Sequence, residues 1–334
     1  QQTEAKWIEE FNSTLDDAVR IRLRSDVPFG AFLSGGVDSS SVVGLMSKHL
    51  KTPVNTFCIG FNDPKYDESP FAKDAANRFN TCHTMQKVEP NMIDLWPMAT
   101  YHCDQPHGDV SFLPTYKVAQ LAAKKVKMVL TGDGADELFA GYDKHKDFFT
   151  DDTAKLSDYE FQSKYLDNIS LFNEESRSQL FSDNFKQQLN NLDVSNVTKP
   201  LFEKSKGMDR INQALYIDTM LLLPGNNLVK PDRMGMAVSI ENRAPFLDYR
   251  MLSLAFSMPG ELKLKDGTTK YLYKKAVAPL IGESLAYRKK QMFTVPVGEW
   301  FKTDLADMCE DLLLSEQTQT RGLFDYNYMD SLLR

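Results

Sequence analysis

The chain has 334 residues, 42% of them hydrophobic, which allows one large or two medium domains with a substantial core and excludes a disordered chain. Its 39 basic and 46 acidic side chains leave a net charge of −7, which argues against broad binding to nucleic acid or to an anionic membrane. There is no apolar run of about 18 residues, and Gln1-Gln2-Thr3-Glu4 is no signal peptide, so the expected location is cytoplasmic, without a membrane partner.

In chain order, Trp7, Ile8, Phe11, Leu15, Val19 and Leu23 have the spacing of an amphipathic helix that stops before Pro28. Arg20, Arg22 and Arg24 ride near its C-terminal end, where they complement the helix dipole or could reach a phosphate. Gly30-Ala31-Phe32-Leu33 reads as a buried strand that breaks at Ser34-Gly35-Gly36. Asp38, Ser39 and Ser40 then start a helix ahead of Val42, Val43, Leu45 and Met46. A glycine pair alone would be no more than a tight turn. Backbone N–H groups at a strand-to-helix turn, together with the helix dipole and serine hydroxyls, form a site for anionic oxygens. The stretch is not the G-x-x-x-x-G-K-[ST] loop, because no lysine follows the glycines until Lys48.

Val54 to Phe61 is a strand pattern bounded by Pro53 and by Asn62-Asp63-Pro64. A helix from Glu68 to Phe79 follows, then a strand at Thr84 to Val88, helical segments at Ile93 to Tyr101 and Tyr116 to Ala123, and a strand at Val126 to Leu130. This alternation predicts an α/β fold with a parallel sheet and helices on both faces. Ligands of such sheets sit beyond the carboxyl ends of the strands. Thr131-Gly132-Asp133-Gly134-Ala135-Asp136-Glu137 falls there; by itself it is an acidic helix N-terminus, but with the Ser34 loop it makes Asp38 and Asp136 a pair of hard oxygen ligands for a Mg²⁺ that carries phosphates. Beyond residue 150 the pattern turns helical, at Tyr159 to Ile169, Glu174 to Phe181 after an Asn173 cap, and Asn212 to Leu223, with a polar loop at Lys186 to Pro200. The expected organisation is an α/β core over 1–150 and a mainly helical region over 151–334 that packs on the core and completes the site. Cys58, Cys82, Cys103 and Cys309 lack any C-x-x-C pair, and Cys82-His83 and His102-Cys103-Asp104 lack structural zinc spacing, so reduced thiols are expected. The N-x-[ST] strings at Asn12, Asn168 and Asn196 read as chance matches.

Ser34-Gly35-Gly36-Val37-Asp38-Ser39 resembles the pyrophosphate loop of enzymes that cleave ATP between its α and β phosphates. Joined to Leu130-Thr131-Gly132-Asp133-Gly134-Ala135-Asp136-Glu137-Leu138-Phe139-Ala140-Gly141-Tyr142, to Asp232-Arg233-Met234 and to Ser239 through Asp248, it makes the chain resemble the asparagine synthetase family. Lys263-Leu264-Lys265, Lys270-Tyr271-Leu272, Arg288-Lys289-Lys290, Phe293 and Pro296 look like that family's closing segments, so the resemblance runs from about residue 5 to about residue 301.

The resemblance implies the synthetase domain, with a pyrophosphate-loop ATP pyrophosphatase fold similar to the adenine nucleotide α-hydrolases. ATP and a carboxylate, aspartate first among them, would give an acyl-adenylate and pyrophosphate, and ammonia or another amine would then form the amide. Carried over by position, Ser34, Gly35, Gly36, Asp38 and Ser39 would hold pyrophosphate, and Leu33, Ile59 and Gly132 would line the base or ribose. Asp38 and Asp136 would hold Mg²⁺, Lys270 would stabilise charge on the phosphate or the tetrahedral intermediate, and Asp133 would be the base or positioning group for the amine. Asp133 departs from the family's usual glutamate by one methylene, which weakens the specific reading of asparagine synthesis more than that of ATP-dependent amide formation. Asp104-Gln105-Pro106 also departs, where an acid often precedes the proline. The family's usual glutaminase domain, with its N-terminal cysteine nucleophile, is not in this sequence, and Gln1 cannot serve. A chain that opens without Met reads as a piece of a longer one, with that domain upstream or on a separate chain; a homodimer is compatible with the family. Alternatives are amidation of a sugar acid or another metabolite, lactam formation, a tRNA-modifying adenylase, disfavoured by the negative charge, and a non-catalytic ATP-binding protein.

Overall fold

The computed structural model describes residues 2–88, 91–150, 152–189, 195–289, 297–303 and 305–334. Gln1, positions 190–194 of the expected polar loop, and Lys290, Phe293 and Pro296 of the closing motif lie outside the described residues. The chain divides into two compact units, one of residues 1–146 and 207–295, the other of residues 147–206 and 296–334. This division differs from a single cut at 150, because the chain returns to the first unit at Gly207.

The first unit is organised by five parallel strands: β1 (Phe29–Phe32), β2 (Asn55–Phe61), β3 (Cys82–Val88), β4 (Met128–Leu130) and β5 (Glu241–Arg243), in the order β3-β2-β1-β4-β5. The inner strands are short apolar runs because both faces of a parallel sheet are covered; β4 is wholly buried and β2 nearly so. The sequence pattern does not predict β5, since Glu241-Asn242-Arg243 has no apolar run, yet it pairs Met128 with Glu241 and Leu130 with Arg243. A charged strand of this kind at a sheet edge discourages pairing with another chain.

The chain moves outward from β1 through α2 (Val37–His49) to β2, and through α3 (Ser69–Arg78) to β3. It then crosses back through α4 (Trp96–His102) and α5 (Phe112–Ala123) to β4 on the other side of β1. Right-handed crossovers therefore place α2 and α3 on one face and α5 on the other. Loops leave β1 and β4 in opposite directions, and this opens a crevice at their carboxyl ends.

The core on the α2 face is completed by α1 (Glu4–Arg22), begun by a Thr3 cap, and by the helix Tyr271–Ile281. Phe11, Leu15 and Val19 of α1 meet Val42, Val43 and Met46 of α2 and Leu272, Tyr273 and Val277 of the later helix, all buried. The Phe11 ring lies 5.2 Å from Phe139 and 5.0 Å from Tyr273, centroid to centroid. Each such aromatic contributes about 1.5–3 kcal/mol by burial, so residues 271–281 are part of the core and not an appendage. The basic end of α1 is engaged inside the unit: Arg22 donates to Asp248 at 2.9 Å and to the carbonyl of Ala18 at 3.1 Å, and Arg20 pairs with Asp17.

Two helical expectations are corrected. The pattern read as a helix from Asn212 to Leu223 is an α-helix, Arg210–Ile217, that widens into a π-helix, Asp218–Asn227, around Pro224. Leu228 accordingly donates to the carbonyl of Leu223 at 2.8 Å, an i to i−5 bond that apolar spacing does not reveal. The stretch read as a loop from Lys186 to Pro200 overlaps two helices, Asp183–Gln188, capped by Ser182, and Ser195–Lys204. These belong to the second unit, together with Asp158–Ile169 and Glu174–Leu180, which starts at the expected Asn173 cap. An aromatic cluster holds that unit: Phe148 and Tyr165 are 5.1 Å apart, Phe161 and Phe202 6.4 Å. Among the described residues no helix is long and apolar enough to cross a membrane.

Candidate active site

β1 runs on into Leu33, whose N–H donates to the carbonyl of Phe57 at 2.9 Å, and the chain then turns at Ser34-Gly35-Gly36. The turn is fastened by its serines. Ser34 N–H donates to Ser39 Oγ at 3.2 Å, the two hydroxyls lie 3.1 Å apart, and Gly36 N–H donates to Ser34 Oγ at 3.2 Å. Gly35 has φ +73°, and a Cβ there would come within 2.3 Å of the backbone of Phe71, so only glycine fits. Helix α2 begins at Val37 with Gly36 as its N-cap and no side-chain cap, which leaves its positive end facing the crevice.

β4 ends in the second loop, where Thr131 N–H donates to the carbonyl of Arg243 at 2.9 Å. A Cβ on Gly132 would stand 2.7 Å from Asp38 Cβ, so the two loops touch through a glycine. The short helix α6 (Ala135–Phe139) then presents Asp136 to the crevice. A third segment closes the arrangement. The hairpin Leu264–Lys265 and Thr268–Thr269 delivers Lys270, in the left-handed region at φ +52°, as the N-cap of Tyr271–Ile281. A non-glycine residue in this conformation costs roughly 1–2 kcal/mol, a strain that points to a site under constraint.

Lys270 is 3% exposed, and its Nζ lies 2.6 and 2.7 Å from the two Asp38 oxygens and 2.7 Å from Asp136 Oδ1. Burial opposes the charge on Lys270, but Asp136 and Asp38 outweigh it and its pKa is raised. Beside this cluster, burial pushes the Asp133 carboxyl above the usual carboxylate range, against the Thr131 hydroxyl that donates to it at 2.7 Å; Asp38 and Asp136 push it the same way.

These groups share a cavity of about 460 Å³. Leu33, Ser34, Gly36, Asp38, Ser39, Ile59, Gly132, Asp133, Asp136 and Lys270 line it, and Gly35 lies behind the wall with its carbonyl accepting from Arg288. Every candidate site residue thus lies in or against one cavity of the first unit. Phe57, Ile59, Val118 and Leu285 supply apolar lining.

Several further residues of the cavity lining were given no role by the sequence. Glu137 accepts from Tyr142 Oη at 2.6 Å and from Asn227 at 2.5 Å, and burial followed by the charge of Asp136 raises its pKa. Asp109 pairs with Lys230; burial opposes its charge, but Lys230 prevails and holds its pKa at about 2. Arg288 pairs with Glu68 across 220 residues of sequence, a separation that leaves no local pattern to read. Among the described residues no group of three or more His, Cys, Asp or Glu could hold a metal by itself. Asp38 and Asp136 do converge on one cation, here an ammonium, and two carboxylates completed by substrate phosphates suffice for Mg²⁺.

A family model described as asparagine synthase matches residues 10–334. The chain is 32% identical to glutamine-hydrolyzing asparagine synthetase 1 of Bacillus subtilis, over 98% of this chain and 55% of that protein. It is 49% identical to putative glutamine-hydrolyzing asparagine synthetase 2 of Methanocaldococcus jannaschii, over 42% of this chain and 27% of that one. It is 27% identical to amidase chyE of Penicillium rubens, over 97% of this chain and 57% of that one. The chain spans about half the length of the first two curated relatives it matches, 55% and 49%.

Proposed function

From the chain's membership of the asparagine synthase family, we propose that this cavity forms amides at the expense of ATP, releasing AMP and pyrophosphate, with aspartate as the carboxylate. The observation that carries the reading is the Lys270 ammonium bound by Asp38 and Asp136 at the open ends of β1 and β4, over a glycine and serine loop. Such an arrangement suits a triphosphate whose inner phosphate is attacked while its outer two depart.

In the first step a carboxylate oxygen attacks the α-phosphorus and the bond to the β-phosphate oxygen breaks. Departing pyrophosphate is received by the Ser34 to Ser39 loop, whose hydroxyls and helix dipole face developing negative charge. Leu33, Ile59 and Gly132 line the base and ribose. Mg²⁺ held by Asp38 and Asp136 would neutralise the phosphates, so that an anion can approach an anion. Lys270, buried beside both carboxylates, would place its charge next to the phosphate or the tetrahedral intermediate.

In the second step an amine attacks the acyl carbon and AMP leaves with the bonding electrons. Asp133, made more basic by burial, takes the amine's proton or orients the amine. Ammonia would come from a glutaminase domain, upstream in a longer chain or on a separate one.

A second reading, amidation of a bulkier acid, is favoured by Asp133 itself, which is one methylene shorter than the family's usual glutamate and leaves more room at the acyl group. Release of AMP and pyrophosphate from ATP, Mg²⁺ and ammonium, with aspartate set against a panel of carboxylates, tests both. Aspartate-dependent AMP that disappears in Asp38→Ala is the expected result. AMP with another acid selects the second reading, and none with any acid, or ADP in its place, overturns both.

A further inference from the structure

Arg288 belongs to a motif that the proposed reaction does not use, yet it lies in the cavity wall. Its side chain is 8% exposed, and its contacts converge on the pyrophosphate loop. Nε donates to the carbonyl of Gly35 at 3.1 Å, Nη2 pairs with Glu68 Oε1 at 2.7 Å, and the guanidinium stands 4.2 Å over the ring centroid of Phe71. Phe71 is also the residue whose backbone excludes a side chain at Gly35. A Cβ on Gly36 would stand 3.9 Å from Arg288 Nη2, which puts the guanidinium next to the peptide carrying the Gly36 N–H.

The Gly35 carbonyl and the Gly36 N–H belong to one planar peptide, so fixing one end fixes the other. With its carbonyl held by Arg288, the peptide turns its N–H toward Ser34 Oγ, the hydroxyl that in turn meets Ser39. A carbonyl oxygen free to swing into the cradle would repel phosphate oxygens; the guanidinium holds it aside and adds positive charge at the loop. Glu68, 7% exposed, keeps the plane of the guanidinium in register with the Phe71 ring. A lysine cannot stack and make both bonds at once.

We propose that Arg288 is a positioning residue for the pyrophosphate loop, held by Glu68 and Phe71, which sets the Gly35 to Gly36 peptide for binding the departing pyrophosphate. The assignment rests on the AMP-forming reading of the cavity. Calorimetric titration with pyrophosphate in Mg²⁺, and separately with AMP, tests it on wild type, Arg288→Ala, Arg288→Lys and Glu68→Gln, with thermal midpoints taken alongside. Pyrophosphate affinity falls about tenfold in both Arg288 variants, and by less in Glu68→Gln, while AMP affinity holds. Equal weakening of AMP and pyrophosphate with a lowered midpoint, as for a merely structural residue, overturns the proposal and leaves the AMP-forming reading standing. Unchanged pyrophosphate affinity in Arg288→Lys does the same. Should Arg288→Ala not fold, Arg288→Lys and Glu68→Gln carry the comparison. Wild type that binds neither ligand overturns the AMP-forming reading, and the proposal with it.

Discussion

Lys270 is held between two carboxylates in a buried, strained position, and that geometry predicts how its removal acts. Lys270→Ala leaves Asp38 and Asp136 facing each other without their cation, and it removes the charge proposed to face the phosphate or the tetrahedral intermediate. We expect kcat to fall roughly 10²–10³-fold, with a smaller change in the KM for ATP, since loss of one preformed charge in a water-poor site acts mainly on the transition state. Lys270→Arg does not rescue, because even a methyl group at Gly141 would stand 2.2 Å from Lys270 Cε and the site has no room for a guanidinium. Steady-state kinetics of the three proteins decide it, and an arginine variant of wild-type rate overturns the steric argument. A second lysine gives a prediction about stability. Lys263 is buried, donates to Asn212 Oδ1 at 2.7 Å, and stands 5.0 Å from the Phe256 ring centroid. Burial pulls its pKa from 10.5 to about 7, with Asp209 opposing. The unfolded chain therefore binds more protons than the folded one between those values, so the stabilising contribution is complete above the unfolded value and is lost as pH falls through about 7. Between them stability rises with pH by at most about 1.4 kcal/mol per unit from this group. Urea midpoints from neutral pH upward should therefore climb more steeply in wild type than in Lys263→Met. Parallel slopes would mean that the buried amine does not titrate in this range.

At the scale of elements, the proposed phosphate cradle depends on one backbone conformation. Gly35→Ala forces a side chain into the left-handed region, at roughly 1–2 kcal/mol, and against the Phe71 backbone 2.3 Å away. Gly36→Ala meets the Ser34 hydroxyl at 3.3 Å, which can yield, and Arg288 Nη2 at an ordinary contact distance of 3.9 Å. The first variant should raise the KM for ATP about tenfold or more and lower the thermal midpoint by several degrees, about 2–4 °C per kcal/mol in a unit the size of the first; the second should do markedly less of both. Equal effects would remove the special role of Gly35. The same contrast explains which elements could be read from sequence. The Ser34 loop and the loop after β4 were legible because glycines, serines and acids at a strand-to-helix turn are local chemistry. The inner strands were legible as apolar runs. β5 was not, because a polar edge strand is specified by its partner β4 and not by its own residues. The π-helix escaped because its apolar spacing imitates an α-helix, and the helix Asp183–Gln188 because a polar sequence concealed the Ser182 cap.

At the scale of the molecule, contacts distant in sequence were the part that local patterns could not supply. The residues facing the crevice from β1 and β4 were found by their motifs, and Lys270 by the family resemblance, whereas Glu68, Asp109 and Lys230 emerge only when the fold joins distant segments. The division of the chain has the same cause. Texture changes near residue 150, but the first unit takes back residues 207–295, which supply β5, Phe246 and Met251, and the Leu272, Tyr273, Val277 and Ile281 face of the helix Tyr271–Ile281. In their absence α1 and α2 would expose the apolar sides of Phe11, Leu15, Val43 and Met46, and β4, buried in the whole chain, would become an open edge. At about 2 kcal/mol for each large side chain left in water, the loss is comparable to the roughly 5–15 kcal/mol by which domains are commonly stable. A fragment of residues 1–150 should accordingly show helical circular dichroism without a cooperative urea transition, and should bind a hydrophobic dye that the whole chain does not. A sharp transition and no dye binding would show that the first 150 residues hold a core of their own, and that residues 207–295 are dispensable to it.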